Sequence, residues 1–377
     1  MDLLDIIRRN IIKNVYEHTI NVNVNINSIY FKYICLVKKK ITIKDIARLA
    51  DVSIGTVDRV IHNRGKVSQK AHDRVHQVME ELQYKPNPLA RILKNNTVFR
   101  IQILIPDPSL DPYWTSCSEG IDEIIQEFEA FDIDFNVHYF DPSLPEQFLN
   151  KGFEVMANSP DALLFVPLFE TESTTLLKEL KDRDIVTGTF NSPLNNEMGQ
   201  HVGQDLFVSG RVAAKLMSIL LPESASILIV HIDESHNAIH IKQKEEGFRS
   251  FFREKRPYQK LTALSLRSNE VHSRLTSFIK ESEPSGFFVT TSKTYQVAEV
   301  LDQEEWNSAL IGYDLIERNI DYLKKDQINF LIHQAPKQQA SLSLRYIIER
   351  LLFDKKFPNS QLLPIDIINS ENVNSYL

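Results

Sequence analysis

The sequence predicts a small all-α module followed by a large α/β unit of two doubly wound parallel-sheet subdomains. Three observations carry that expectation. Charge is unevenly divided: residues 38–97 hold 13 Lys and Arg against 6 Asp and Glu, whereas residues 98–377 hold 26 against 41. Residues 41–84 contain three short stretches of helical periodicity. Beyond residue 98, short apolar runs alternate with helical stretches, the pattern of parallel sheets covered by helices on both faces.

The chain has 377 residues, 42% hydrophobic and 25% charged. At roughly 100–200 residues per domain, two or three domains are expected. No apolar run approaches the ~20 residues of a transmembrane helix, so no membrane partner is expected. Cys35 and Cys117 make no disulfide framework and lack zinc-site spacing, which fits a reducing cytoplasm. Residues 1–40 are rich in Asn and Ile and are expected to form a poorly ordered extension. Arg8 and Arg9 lack the apolar core and small-residue cleavage site of a targeting signal.

Thr42, with Asp45 three residues on, predicts a capping box. Ile43, Ile46, Ala47 and Ala50 then share one helical face. Ser53 caps a second helix over Ile54–Ile61, with Val57, Val60 and Ile61 inward. Gly65 suits a turn. Ser68 caps a third helix from Gln69 to about Gln83, burying Ala71, Val75, Val78, Met79 and Leu82. Two short helices joined tightly, with a third across them, describe a helix-turn-helix. The second helix presents Ile54, Gly55, Thr56, Asp58 and Arg59. Arg59 can fork onto guanine O6 and N7, while Thr56, Asn63, Arg64 and Lys66 suit phosphate oxygens. A helical interaction bundle is the alternative reading.

Residues 85–97 predict a hinge. Asn87 suits an N-cap and Pro88 the first helical position. A helix this short is marginal alone, so it forms against a second copy, DNA or both. An apolar side chain near its end can wedge between base pairs from the minor groove.

The run from Ile43 to Val60, then Gly65-Lys66-Val67-Ser68, then Leu82 to Ala90, closely resembles the lac-repressor (LacI/GalR) family of bacterial transcription regulators. The resemblance implies that Leu93 is the hinge wedge and Ala90 a minor-groove neighbour. With it, the DNA-facing set is Thr42, Ser53, Ile54, Gly55, Thr56, Arg59, His62, Asn63, Arg64, Asn87, Ala90 and Leu93. It also implies a homodimer on a palindromic double-stranded operator. Asp58 stands where the family usually has a small polar residue, and Gly55 has no side chain with which to read a base. The operator sequence therefore does not transfer from other members.

In residues 98–377, strands are expected at Ile101–Pro106, Phe135–Tyr139, Ala162–Val166, Ile185–Phe190, Ser226–His231, Leu261–Leu266, Gly286–Thr290, Leu310–Tyr313 and Phe330–Ile332. Helical periodicity lies between them, as at 114–131, 170–182, 207–220 and 241–254. The first subdomain is expected over about 98–192 and 335–360, the second over about 193–334 and 361–377. Ligands of open α/β sheets sit beyond the carboxyl ends of the strands. Those ends supply Asp111, Tyr113, Trp114, Asn191, Ser192, Lys244, Ser292, Asp314 and Gln334. Aromatic faces, amides, carboxylates and one cation together suit a polyhydroxylated ligand. The same positions resemble the ribose-type branch of the periplasmic sugar-binding proteins, which the family uses as its sensor (periplasmic binding protein-like, type I). Lys244 replaces a commoner arginine and loses its bidentate fork, and Ser292 replaces a commoner asparagine.

No nucleophile elbow, P-loop or dinucleotide glycine pattern is present, so no enzyme and no cofactor are expected. His231, His236 and His240 lack an accompanying carboxylate–histidine motif and are read as surface or cleft histidines, with no metal. Asp107 and Asp111 match no calcium loop. The expectation is a cytoplasmic, ligand-responsive, sequence-specific DNA-binding repressor that senses a sugar or sugar derivative. The alternative is a sugar-binding protein serving transport or sensing without operator binding. Steep weakening of DNA retention by salt separates the two.

Overall fold

The computed structural model describes residues 41–61, 65–84, 98–194, 200–233 and 238–377. The expected extension over 1–40, the loop residues His62, Asn63 and Arg64, the hinge with Asn87, Ala90 and Leu93, and His236 lie outside the described residues. The chain divides into a small unit ending at Arg91 and a large one beginning at Ile92.

The small unit contains α1 (Ile43–Leu49), α2 (Ile54–Ile61) and α3 (Gln69–Glu81). Each starts where a short polar side chain satisfies free backbone N–H groups. Thr42 and Asp45 form the expected capping box, with Thr42 N donating to the Asp45 carboxylate at 3.0 Å and Asp45 N donating to Thr42 Oγ1 at 3.4 Å. Ser53 Oγ accepts from Thr56 N at 3.0 Å, and Ser68 Oγ accepts from Ala71 N at 3.4 Å. Ile46, Ala47, Ala50, Val57, Val60, Val75 and Leu82 make the core. The third helix stops at Glu81, just short of Gln83, whose backbone is left-handed with φ 50°.

The large unit holds two six-stranded sheets. In the first, β1 (Phe99–Pro106), β2 (Ile133–Phe140), β3 (Ala162–Phe165), β4 (Val186–Asn191), β5 (Gln200–Gly203) and a late strand, β11 (Ser360–Leu362), run in the order β11-β5-β4-β3-β1-β2. All neighbours are parallel. In the second, β6 (Ser226–Ile232), β7 (Lys260–Leu266), β8 (Gly286–Val289), β9 (Ala309–Tyr313), β10 (Phe330–His333) and β12 (Asp366–Ile368) run in the order β12-β10-β9-β8-β6-β7. Only β12 is antiparallel to its neighbour. Every expected strand is present; central strands such as Ala162–Phe165 are buried apolar runs of the kind parallel sheets require, while the edge strands β2 and β7 are only partly buried.

Of the helices, α4 (Tyr113–Glu127), α5 (Pro145–Ala157), α6 (Glu170–Asp182) and α12 (Pro336–Phe353) flank the first sheet. The second sheet is flanked by α7 (Leu206–Leu220), α8 (Ile239–Lys255), α9 (Val271–Ser282), α10 (Thr294–Gln303) and α11 (Glu317–Lys324).

The expected subdomain boundaries need correction at two places. Gln200–Gly203 pairs with β4, so the first crossing falls after Gly203 and not at 192–193. Ser360–Leu362 pairs with β5, so the last crossing falls after Leu362 and not after 360. Both strands are short and partly polar, so no apolar run announces them. The chain thus crosses between lobes near Gln204, Gln334 and Pro364. The buried Gln204 ties the three together: its Nε2 donates to His333 O at 3.0 Å and to Pro364 O at 2.5 Å.

Candidate functional site

In the small unit, the exposed residues of α2 are Ile54, Gly55 and Arg59, while Val57 and Val60 face the core. Ile54 is 50% exposed, unusual for isoleucine and free to meet an apolar base edge. Thr56 is half-buried and its hydroxyl lies 2.9 Å from Ser53 Oγ, so both are engaged at the helix start. Thr42 is engaged in its own cap. Gly55 has room around it: a Cβ placed there would meet only Ser53 Oγ at 3.8 Å.

In the large unit, a cavity of about 1190 Å³ opens between the lobes at the carboxyl ends of the strands. Asp111, Tyr113, Trp114, Asn191, Lys244, Ser292, Asp314 and Gln334 all line it. Ser192 does not. It is fully buried and donates through Oγ to Asn191 Oδ1 at 3.1 Å, so it orients the amide from behind.

The first lobe contributes aromatic and amide groups. Asp111 Oδ1 accepts from Tyr113 N at 3.0 Å, fixing the start of α4. Tyr113 and Trp114 stack edge-on with ring centres 4.8 Å apart. Asn191 ends β4 with φ 74°, and its Nδ2 donates to the Tyr113 hydroxyl at 2.6 Å. Asparagine tolerates this left-handed backbone better than most residues.

The second lobe contributes charge. Asp314 is 1% exposed and sits just beyond β9 with φ 66°. Both its oxygens accept from Gln334, one from the backbone N at 3.1 Å and the other from Nε2 at 2.6 Å. Asn319 braces the loop beneath: its Nδ2 lies 2.7, 2.9 and 3.0 Å from the carbonyls of Ser292, Tyr313 and Asp314. Lys244 is 2% exposed, donates to Thr290 O at 3.2 Å and lies 3.8 Å from the centre of the Tyr313 ring. Burial pushes the Lys244 ammonium down to about 8, against the pull of Asp314. Burial raises Asp314, which Lys244 opposes, and raises Asp111, which Lys293 opposes. The cavity thus sets the buried Asp314 within the influence of the buried Lys244, and the half-buried Asp111 within that of Lys293.

Lys244 is held in place by helix packing. A Cβ on Gly210 of α7 would lie 2.0 Å from Lys244 O, and one on Gly247 of α8 would lie 1.9 Å from Phe207 O. Only glycine lets these two helices approach so closely.

Sequence reasoning missed several lining groups. Lys293 and Asp233 form an ion pair on the cavity wall, with Ser268 N donating to Asp233 at 2.8 Å. Both sit in loops, where no periodicity marks them. His240, read from the sequence as a surface or cleft histidine, lines the cavity in the first turn of α8. His231 lies behind the wall, with Nδ1 2.8 Å from Thr290 Oγ1 and Nε2 2.9 Å from Glu245. Among the described residues, no three His, Cys, Asp or Glu are grouped to hold a metal ion.

A helix-turn-helix unit and a two-lobed α/β unit with a polar cavity, in one chain, is the architecture of a ligand-responsive regulator. Residues 42–87 match the family of bacterial regulatory proteins, lacI family, and residues 101–355 match the periplasmic binding protein domain. Catabolite control protein A of Staphylococcus xylosus is 30% identical over 142 residues, 38% of this chain and 40% of that relative. The sucrose operon repressor of Streptococcus mutans is 26% identical over 347 residues, 87% of this chain and 98% of that relative. A solved Bacteroides fragilis protein described as a LacI transcriptional regulator superposes with a TM-score of 0.70 at 26% identity, covering 74% of this chain and all of that one. The chain belongs to the family of periplasmic binding protein domains, which makes up its larger part, and carries over residues 42–87 a domain of the bacterial regulatory proteins, lacI family.

Proposed function

We propose that the chain is a sugar-responsive transcriptional repressor. The observation that carries this reading is the interlobe cavity, where eight residues from the ends of six strands and the segments that follow them converge with aromatic faces, amides and buried charges of both signs. Such a lining suits a neutral polyol. Relatives named as sucrose and ribose operon repressors support the sugar class. Two chains pair, and each places α2 in a major groove of one half of a palindromic operator. The hinge of each chain, with Leu93, enters the central minor groove. Ligand closes the lobes and shifts the operator equilibrium by about 1–3 kcal/mol, as coupled sites commonly do. The shift requires ligand to prefer one lobe arrangement. The protein acts in the cytoplasm and turns over no substrate. Among the described residues no helix is long and apolar enough to cross a membrane.

The test is DNA footprinting of the full chain with and without a panel of sugars, alongside Arg59→Ala. The variant is expected to lose selectivity for the operator by roughly tenfold to a hundredfold, the worth of one bidentate base contact, while keeping salt-sensitive affinity for random duplex. No preference for any duplex, or unchanged selectivity in the variant, refutes the reading.

A further inference from the structure

Asn319 lies behind the cavity wall without lining it. It sits in the first turn of α11 and is fully buried. Its Oδ1 accepts from Tyr295 N at 2.8 Å. Its Nδ2 shares two hydrogens among the carbonyls of Ser292, Tyr313 and Asp314. An N–H on one side and three carbonyls on the other settle which end of the amide is oxygen.

Each bond answers a local need. Helix α10 begins after Lys293, whose side chain makes no cap, so an N–H in its first turn must be satisfied from elsewhere. Asn319 supplies that cap to Tyr295 from a different helix. Asp314 has left-handed backbone with φ 66°. Away from glycine this conformation costs free energy and persists only where the surroundings impose it. The carbonyls of Tyr313 and Asp314 belong to the two peptides that flank this residue. Drawing both onto one donor fixes both peptide planes, and with them the backbone from which the carboxylate projects. The Ser292 carbonyl joins the loop after β8 to the same donor. The end of β9 is also pressed against the start of α10: a Cβ on Gly312 would lie 1.9 Å from Thr294 Oγ1.

We propose that Asn319 is a positioning residue of the cavity: one buried amide holds the Ser292 and Asp314 loops at a set spacing and thereby governs affinity for the sugar without touching it. The inference rests on the reading of this cavity as a sugar site. An amide that only stabilises the fold is the competing account.

Asn329 provides the matched control. It serves the opposite end of β9, where its Oδ1 accepts from Leu310 N at 2.8 Å, and it does not line the cavity. Calorimetric titration of the full chain with D-ribose, D-arabinose, D-allose, D-glucose, D-galactose and sucrose identifies a sugar that binds. Asn319→Ala and Asn329→Ala are both expected to lower the melting midpoint. Only Asn319→Ala is expected to weaken affinity, by roughly tenfold to a hundredfold, the scale of one or two lost hydrogen bonds. Asn329→Ala should stay within about threefold of wild type on the same scale. Combined with Asp314→Asn, the loss from Asn319→Ala should fall well short of additive, because one residue acts through the other. Equal affinity losses in the two alanine variants, or full additivity with Asp314→Asn, overturn the role. Hydrogen exchange in the wild-type chain decides the matter even if Asn319→Ala does not fold: the sugar should slow the Tyr295 and Asp314 amides by the same factor. A slowing at Asp314 that Tyr295 does not share overturns the role. Binding of no sugar in the panel overturns the sugar reading and this role with it, whereas binding that Asn319→Ala leaves unmoved overturns the role alone.

Discussion

In the first lobe β4 ends on Asn191, and in the second β9 runs into Asp314; the two residues occupy the same place in their sheets. Counting inward from the β2 and β7 edges, each stands at the fourth strand. Both have left-handed backbone, with φ 74° and 66°. The likeness extends further. Asp107 N donates to Phe140 O after the first strand of one lobe, and Asp233 N donates to Leu266 O after the first strand of the other. Each lobe also packs two helices through glycine: Gly120 of α4 against Lys337 O of α12, and Gly247 of α8 against Phe207 O of α7. The backbone plan is shared, while the chemistry at matched positions is not. One lobe offers a neutral amide bonded to a tyrosine, the other a buried acid facing a buried amine. The fold sets where a cavity-facing group stands, and one side chain at each strand end sets its chemistry.

Exchanging the two end groups breaks the comparison most sharply. Asp314→Asn keeps the left-handed backbone but removes the acid opposite Lys244. Sugar affinity is expected to fall about a hundredfold, the scale of a lost charged hydrogen bond. Asn191→Asp should cost less, about tenfold, because the new carboxylate can accept from the Tyr113 hydroxyl. Equal losses in the two variants, read by calorimetry, dissolve the proposed division of labour.

The helix pairs come next. Gly247→Ala and Gly120→Ala both drive a Cβ into a backbone carbonyl, at 1.9 and 2.4 Å. Each is expected to lower stability by about 1–3 kcal/mol in denaturant unfolding. Gly247→Ala should also weaken sugar binding, because α8 carries Lys244, whereas a binding loss confined to Gly120→Ala contradicts that link.

The smallest effects are those of pH. Burial depresses Lys244 to about 8 from the 10.5 of an exposed lysine. Between those values the unfolded chain holds the proton that the folded chain has released, so this group makes folding more favourable as pH rises through that window. Lys244→Met should remove that part of the rise. His201 is depressed by burial to about 4 from 6.5. The unfolded chain again holds the extra proton between these values, so stability falls as pH drops from 6.5 toward 4. His201→Gln should lessen the acid sensitivity, and melting midpoints across pH 4–7 for both chains check it.

Much of the fold was legible in the sequence because two strong signals coincide in it. Short hydroxyl caps at Thr42, Ser53 and Ser68 stand directly before apolar helical faces, and each forms its hydrogen bond in the structure. Buried parallel strands such as Ala162–Phe165 are unbroken apolar runs. Gln200–Gly203, Ser360–Leu362 and Asp366–Ile368 escape such reading because they are three or four residues long and carry polar side chains. In the cavity, the strand-end rule found Asn191 and Asp314 because their positions follow from topology. Lys293 and Asp233 come from loops, and only the folded chain brings them together.

The carboxamide of Gln204 spans the three connections between lobes at a single point. A lobe rotation therefore has its pivot there, and displacement grows with distance from it, as along a lever. Exchanging Gln204 for leucine loosens the pin without removing a polar group of the cavity lining, so its expected signature is a changed ratio of open to closed molecules in solution scattering.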